Sequence, residues 1–157
     1  MTVKVVFVCL GNICRSPMAE GVFRHLVKQA KLENIIEVDS CGTGSWHIGE
    51  SPHVGTQKVL ATHHIEYYHR ARQLCAADLS NADYLIAMDS DNLHDIKRQG
   101  SVHGEVGLLL DYAKGVEESD VPDPYYTGQF NEVYNLVEAG CKGLLKHIRH
   151  KEGIPTS

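Results

Sequence analysis

Several features are scarce in this chain of 157 residues, and each scarcity removes a class of function. No apolar run approaches the length needed to cross a bilayer, so a membrane-spanning role is not expected. The opening residues, Met1-Thr2-Val3-Lys4, run straight into an apolar segment without the pattern of a signal peptide. Positive charge is in deficit: 15 Lys and Arg face 20 Asp and Glu, a net charge of −5. The basic footprint of a nucleic-acid binder is therefore missing. Cysteine occurs five times, an odd number scattered over positions 9, 14, 41, 75 and 141. That suits a reducing cytoplasm better than a disulfide framework. Cys9 and Cys14 lack a second Cys/His pair at zinc spacing, so no metal is expected. No Walker-type lysine follows the first glycine, which disfavours nucleotide hydrolysis. Repeats, low-complexity segments and interdomain linkers are also missing, so residues 1–157 read as one domain with one core.

What is present gathers around one stretch, Val8-Cys9-Leu10-Gly11-Asn12-Ile13-Cys14-Arg15-Ser16-Pro17. An apolar, β-branched run over 3–8 leads in and reads as a central strand covered on both faces. A helical pattern over 17–31 leads out, with Ser16 as N-cap and Pro17 as first helical residue. Cys9 and Arg15 are thus the ends of a loop long enough to wrap an anion the size of phosphate. Backbone N–H groups and the helix N-terminus would face that anion, and Arg15 could fork onto two of its oxygens. Everything around a sulfur at the base of such a loop favours the thiolate, which is a nucleophile aimed at phosphorus.

The remaining pattern alternates strand and helix. Strands are expected over 35–40 (a sheet edge, by its alternation), 84–88 and 106–110. Helices are expected from Ser51-Pro52 to His64, from Asp89 or Ser90 to Arg98, and from about Gln129 to His150. The sum is an α/β fold: a three-layer sandwich whose four-stranded parallel sheet is flanked by helices. The loop after strand one then falls where such sheets bind ligands. Asp78, Asp83, Asp89, Asp91 and Asp95 read as caps and solvated faces, as do His147 and His150 on the last helix. Asp123, between two prolines in an acidic loop, reads by itself as a turn residue.

The extended string Val-Cys-Leu-Gly-Asn-Ile-Cys-Arg-Ser-Pro-Met-Ala-Glu closely resembles the phosphate-binding loop of the low-molecular-weight protein tyrosine phosphatases. The resemblance extends over most of the chain, through Ser40 to His47, His69 to Gln73, Tyr84 to Asp89 and Asp123-Pro124-Tyr125-Tyr126. It implies that Cys9 is the nucleophile, Arg15 the transition-state clamp and Asp123 the general acid and base. Leu10, Gly11, Asn12, Ile13, Cys14 and Arg15 would bind the phosphate. Ser16 would donate to the thiolate, and Asn12, Ser40 and His69 would hold the loop in shape. Trp46, Tyr125 and Tyr126 would wall the cleft, with Ile13 on its floor. The implied partners are phosphotyrosine-containing proteins, the implied product is inorganic phosphate, and no cofactor is implied.

Three alternatives share the motif. Relatives with a similar loop that act on phosphoarginine carry Thr where this chain has Ile13. Arsenate reductases on the same scaffold need a further redox cysteine pair, and only Cys75 lies mid-chain. A non-catalytic phosphotyrosine-binding module would lack Cys9 or Asp123, and both are here. Cys9 and Cys14, across one tight loop, could also form a reversible disulfide.

Overall fold

Strand β1 (Val3–Cys9) is apolar at nearly every position, and its alternation sorts those side chains into two cores. Val3, Val5, Phe7 and Cys9 enter one, while Val6 and Val8 enter the other. A strand buried on both faces needs a sheet neighbour on each edge and helices above and below. The computed structural model, which describes residues 2–155, supplies all of these. β1 pairs in parallel with β2 (Ile36–Gly42) on one side and β3 (Tyr84–Ala87) on the other, and β3 pairs in parallel with β4 (Glu105–Leu108). The order is β2-β1-β3-β4, so β2 is an edge strand, as its alternation suggests.

The helices form the outer layers. Helices α1 (Arg15–Gln29), α2 (Val54–Thr62) and α6 (Phe130–Glu152) bury Phe23, Leu60 and Leu144 against the larger core. Helices α3 (Ala76–Asn81) and α4 (Ser90–Gln99) bury Leu79 and Ile96 against the smaller one. Fold class and layer count agree with the sequence reading. The chain reverses direction across the sheet between β1 and β3, and the loop after β1 sits at that switch point. Among the described residues, no helix is long and apolar enough to cross a membrane.

Four local expectations need correction. Helix α1 begins at Arg15, so Ser16 lies inside the helix instead of capping it. Its hydroxyl is taken by the loop, and Pro17 is still tolerated because N–H groups of a first turn have no helical partner anyway. The second helix starts at Val54, capped by His53 Nδ1 accepting from Gly55 N at 3.0 Å. The fourth strand stops at Leu108, where a 3-10 turn (Leu109–Tyr112) carries Leu109 and Leu110 into the larger core under α6. An apolar run of that length cannot by itself distinguish strand from buried turn. Helix α3 and the single-turn α5 (Pro124–Thr127) are too short to show a period. In α3 the signal was a cap, with Cys75 N donating to Asp78 Oδ2 at 2.9 Å.

Candidate active site

Between β1 and α1 the loop folds back over the strand end. Asn12 carries a left-handed backbone (φ 56°), uncommon for a residue with a side chain. Its amide stabilises the arrangement by using every hydrogen-bonding position. Nδ2 donates to Ser16 Oγ at 2.8 Å and Ser40 Oγ at 3.0 Å. Oδ1 accepts from Arg72 N at 3.0 Å and His69 Nε2 at 2.7 Å. A fully satisfied buried amide holds one loop conformation, because any shift leaves a polar atom unpaired. Gly42 lets β2 approach: a Cβ there would lie 2.8 Å from Leu10 O and 3.1 Å from Asn12 N.

This folding aims donors at Cys9. Asn12 N–H lies 3.3 Å from its Sγ, and Ser16 Oγ lies 3.0 Å away. The single Ser16 proton chooses between that sulfur and Cys41 O at 3.3 Å. Behind Ser40 stands Glu20, 1% exposed, a residue the sequence reading did not single out. Its Oε1 accepts from Ser40 at 2.7 Å and from Tyr67 at 2.7 Å, lies 3.5 Å from His69 Nδ1, and its Oε2 accepts from Arg24. Burial raises the Glu20 carboxyl above its ordinary pKa, and burial lowers His69, which therefore acts as a neutral donor. Glu20, Asp39 and His69 converge closely enough to hold a cation, with ligand atoms within 4.8 Å of one another. Arg24 on Glu20 and Arg72 on Asp39 already fill that role.

Arg15 is almost wholly buried. Nη1 meets Asp89 Oδ2 at 2.5 Å and Val121 O at 3.0 Å, and Nη2 reaches Asp123 Oδ2 at 3.5 Å. Burial opposes its charge, yet Cys9 and Asp89 outweigh burial and raise its pKa. Asp89 thus both caps α4, accepting from Asn92 N at 2.8 Å, and orients Arg15. From sequence, Asp89 shows only the cap. Asp78 also departs from a solvated face: it is 4% exposed and takes a two-pronged pair from Arg72 at 2.8 and 2.9 Å. Asp123 caps α5 through Tyr125 N at 3.1 Å, which fixes its carboxylate beside Arg15.

Above the sulfur opens a cleft of about 240 Å³. Cys9, Leu10, Gly11, Ile13, Cys14 and Arg15 line its base; Trp46, Asp123, Tyr125 and Tyr126 line its wall. The side chains of Asn12, Ser16, Ser40 and His69 lie behind the loop and support it. His47 also lines the cleft, packed over Gly11 and tethered to Glu50 at 3.0 Å, and no spacing rule would have found it. Cys14 is buried among apolar groups, and burial, then Cys9, pushes its thiol up to about 12. The Cys9 sulfur, by contrast, faces two donors, Asn12 N–H and the Ser16 hydroxyl.

A thiol at the carboxyl end of a parallel strand, under a loop closed by a buried arginine and faced by an aspartate, defines a cysteine-based phosphatase centre. The family model described as low molecular weight phosphotyrosine protein phosphatase matches residues 4–153, and the chain belongs to that family. It is 46% identical over 155 residues to the low molecular weight protein-tyrosine-phosphatase YfkJ of Bacillus subtilis, covering 97% of this chain and 99% of the relative. It superposes on the crystal structure of YfkJ with a TM-score of 0.94, covering 97% of this chain and 98% of that one. PtpA of Staphylococcus aureus (strain MRSA252), also named a protein-tyrosine-phosphatase, is 46% identical over 147 residues, covering 93% and 94%. A Drosophila protein described as an arginine phosphatase superposes with a TM-score of 0.88 at 35% identity, covering 94% and 98%.

Proposed function

We propose that this protein hydrolyses phosphotyrosine in proteins, without metal or cofactor, through a phosphocysteine on Cys9. The observation that carries the reading is one cleft shared by the Cys9 sulfur, the Arg15 guanidinium and the Asp123 carboxylate, with aromatic walls. Cys9 attacks phosphorus in line as the bond to the phenol oxygen breaks, and Asp123 gives that oxygen a proton. Asp123 then takes a proton from the water that hydrolyses the phosphocysteine, releasing inorganic phosphate. Arg15 and the loop N–H groups of Leu10 to Cys14 supply the positive charge for the phosphoryl oxygens, so no cation is called for. Asp89 holds Arg15 in place. Five free cysteines outside any disulfide framework support a cytoplasmic setting.

The depth and apolar walls of the cleft favour a phosphorylated phenol over phosphoserine, which is too short to reach Cys9 and still bury surface against Trp46 and Tyr125. Phosphoarginine has the length, and the arginine phosphatase among the structural relatives makes it the second reading. Ile13 decides between them, because a guanidinium against its methyl groups loses water without gaining a partner, at about 1–3 kcal/mol. The test is kcat/KM for phosphotyrosine, phosphoserine and phosphoarginine peptides in metal-free buffer. Phosphotyrosine should lead, and Ile13→Thr should move the balance toward phosphoarginine. A wild-type preference for phosphoarginine would overturn the tyrosine reading. Cys9→Ser should abolish turnover and still bind phosphate; substantial turnover by the pure variant removes Cys9 as nucleophile.

A further inference from the structure

Trp46 has two sides. One walls the catalytic cleft; the other, together with Leu10, walls a second groove of about 450 Å³ that runs to the end of α4. The ring, 70% exposed, lies over Gly44, where a Cβ would come 1.9 Å from Trp46 Cζ3. A peptide whose phosphotyrosine enters the cleft therefore has neighbouring residues at the mouth of this groove, since an extended chain advances only about 3.3 Å per residue.

The groove offers donors. Arg98 from α4 projects into it with 68% of its side chain exposed. Among the described residues, its ion pair is with Asp95 at 2.7 Å, made by Nη2, which leaves the rest of its planar fork free. Asp95 lines the same groove, and that pair offsets its charge. Gln99 adds an amide. Thr43 lines the groove as well, with its hydroxyl turned inward and shielded from solvent. The wall of the catalytic cleft itself carries a carboxylate, Asp123, in a chain of net charge −5.

We infer that the groove behind Trp46 is a substrate subsite that takes an acidic side chain flanking the phosphotyrosine, held by Arg98 with help from Gln99. The inference rests on the phosphotyrosine reading above and deepens it by naming the sequence context that the enzyme prefers. Arg98 touches neither phosphate nor leaving group, so its effect falls on KM for peptides, not on kcat.

The test uses the full chain and a matched set of phosphotyrosine peptides with Ala, Glu or Lys beside the phosphotyrosine, with free phosphotyrosine as reference. Wild type should favour Glu-flanked over Ala-flanked peptides by about two- to fivefold in kcat/KM, the range of an exposed ion pair, and added salt should erase the preference. Arg98→Ala should abolish it, Arg98→Glu should turn it toward Lys, and Asp95→Asn should strengthen it by releasing the guanidinium. All three should leave free phosphotyrosine unchanged. Equal rates on all peptides, or a Glu preference that survives Arg98→Glu, overturn the subsite while the hydrolysis of free phosphotyrosine keeps the parent reading intact. Failure to hydrolyse free phosphotyrosine overturns both.

Discussion

The two ends of the parallel sheet each gather polar side chains around one glutamate, and the two clusters differ in what surrounds the carboxylate. At the carboxyl end Glu20 is buried and accepts chiefly from hydroxyls, Ser40 and Tyr67, with Arg24 reaching it from the surface. Burial wins and its pKa rises. At the amino end Glu105, the first residue of β4, is half-buried among Lys151 at 2.8 Å, His147 at 2.9 Å and Tyr112. Burial there also pushes upward, but hydrogen bonds from Lys151, Tyr112 and His147 outweigh it and hold the carboxyl at about 2. The first cluster reaches Cys9 through Ser40, Asn12 and Ser16. The second ties α6 to the sheet. His147, expected on a solvated face, belongs to it because α6 packs across the start of β4. A desolvated carboxylate is costly to hold, and here it sits beside the chemistry; a well-paired one stands where only the fold depends on it.

The comparison implies that changes at the carboxyl end alter rate, with or without stability, whereas those at the amino end alter stability alone. The largest effect is expected from Asp123→Ala. Substrates with poor leaving groups should slow by roughly 10²–10⁴-fold and activated aryl phosphates far less. Thermal melting should barely move. An equal loss on both kinds of substrate, read from kcat, would remove Asp123 as the acid.

Glu20→Ala should be felt on both measures, by about 1–3 kcal/mol of stability, since Ser40 and Tyr67 lose their acceptor at once. Denaturant titration measures the first part, and the accompanying fall in kcat measures the loop's dependence on the cluster. Full activity in a folded Glu20→Ala protein would break the comparison, because the carboxyl-end cluster would then be structural too.

Glu105→Gln should cost about 1 kcal/mol at neutral pH with kcat/KM unchanged. The sign of its pH dependence follows from the depressed pKa. The stabilisation is present above the ordinary glutamate value and fades as pH falls toward about 2, so wild type and variant should converge over that window. Glu20 works the other way: its raised pKa means that the folded state binds the proton more tightly, and its contribution improves as pH falls. Urea midpoints of Glu105→Gln and Glu20→Gln against wild type, from neutral to acid pH, separate the two slopes.

The smallest effect is on recovery after oxidation. A disulfide between Cys9 and Cys14 would shield Cys9 from over-oxidation, so Cys14→Ser should regain less activity than wild type after peroxide and then reductant. Equal recovery would show that the loop has no such protection.

Much of this was written in local pattern. The β-branched run over 3–8 could only be a strand with two buried faces, and the alternation of β2 marked an edge. Cys9, Arg15 and the loop between them were legible because their spacing suits an anion the size of phosphate and the extended string around them resembles the family's phosphate-binding loop. Other features had no local signal. Glu20, on a helix face, reads like any solvated acid until β2 brings Ser40 and the segment before β3 brings Tyr67 and His69 against it. Asp89 looks like a helix cap, and is one, but only the adjacency of β1 and β3 places it against Arg15. Asp123 is separated from Arg15 by more than a hundred residues and meets it because Val121 N bonds Met88 O, drawing the acidic loop over the strand ends. Sequence thus determined the loop from Cys9 to Arg15 and the layer order, which depend on near neighbours and periodicity. The resemblance pointed to Asp123, but only the tertiary structure brought Glu20 and Asp89 to the site, because a carboxylate takes its role from the charges and donors that face it, and those come from elsewhere in the chain.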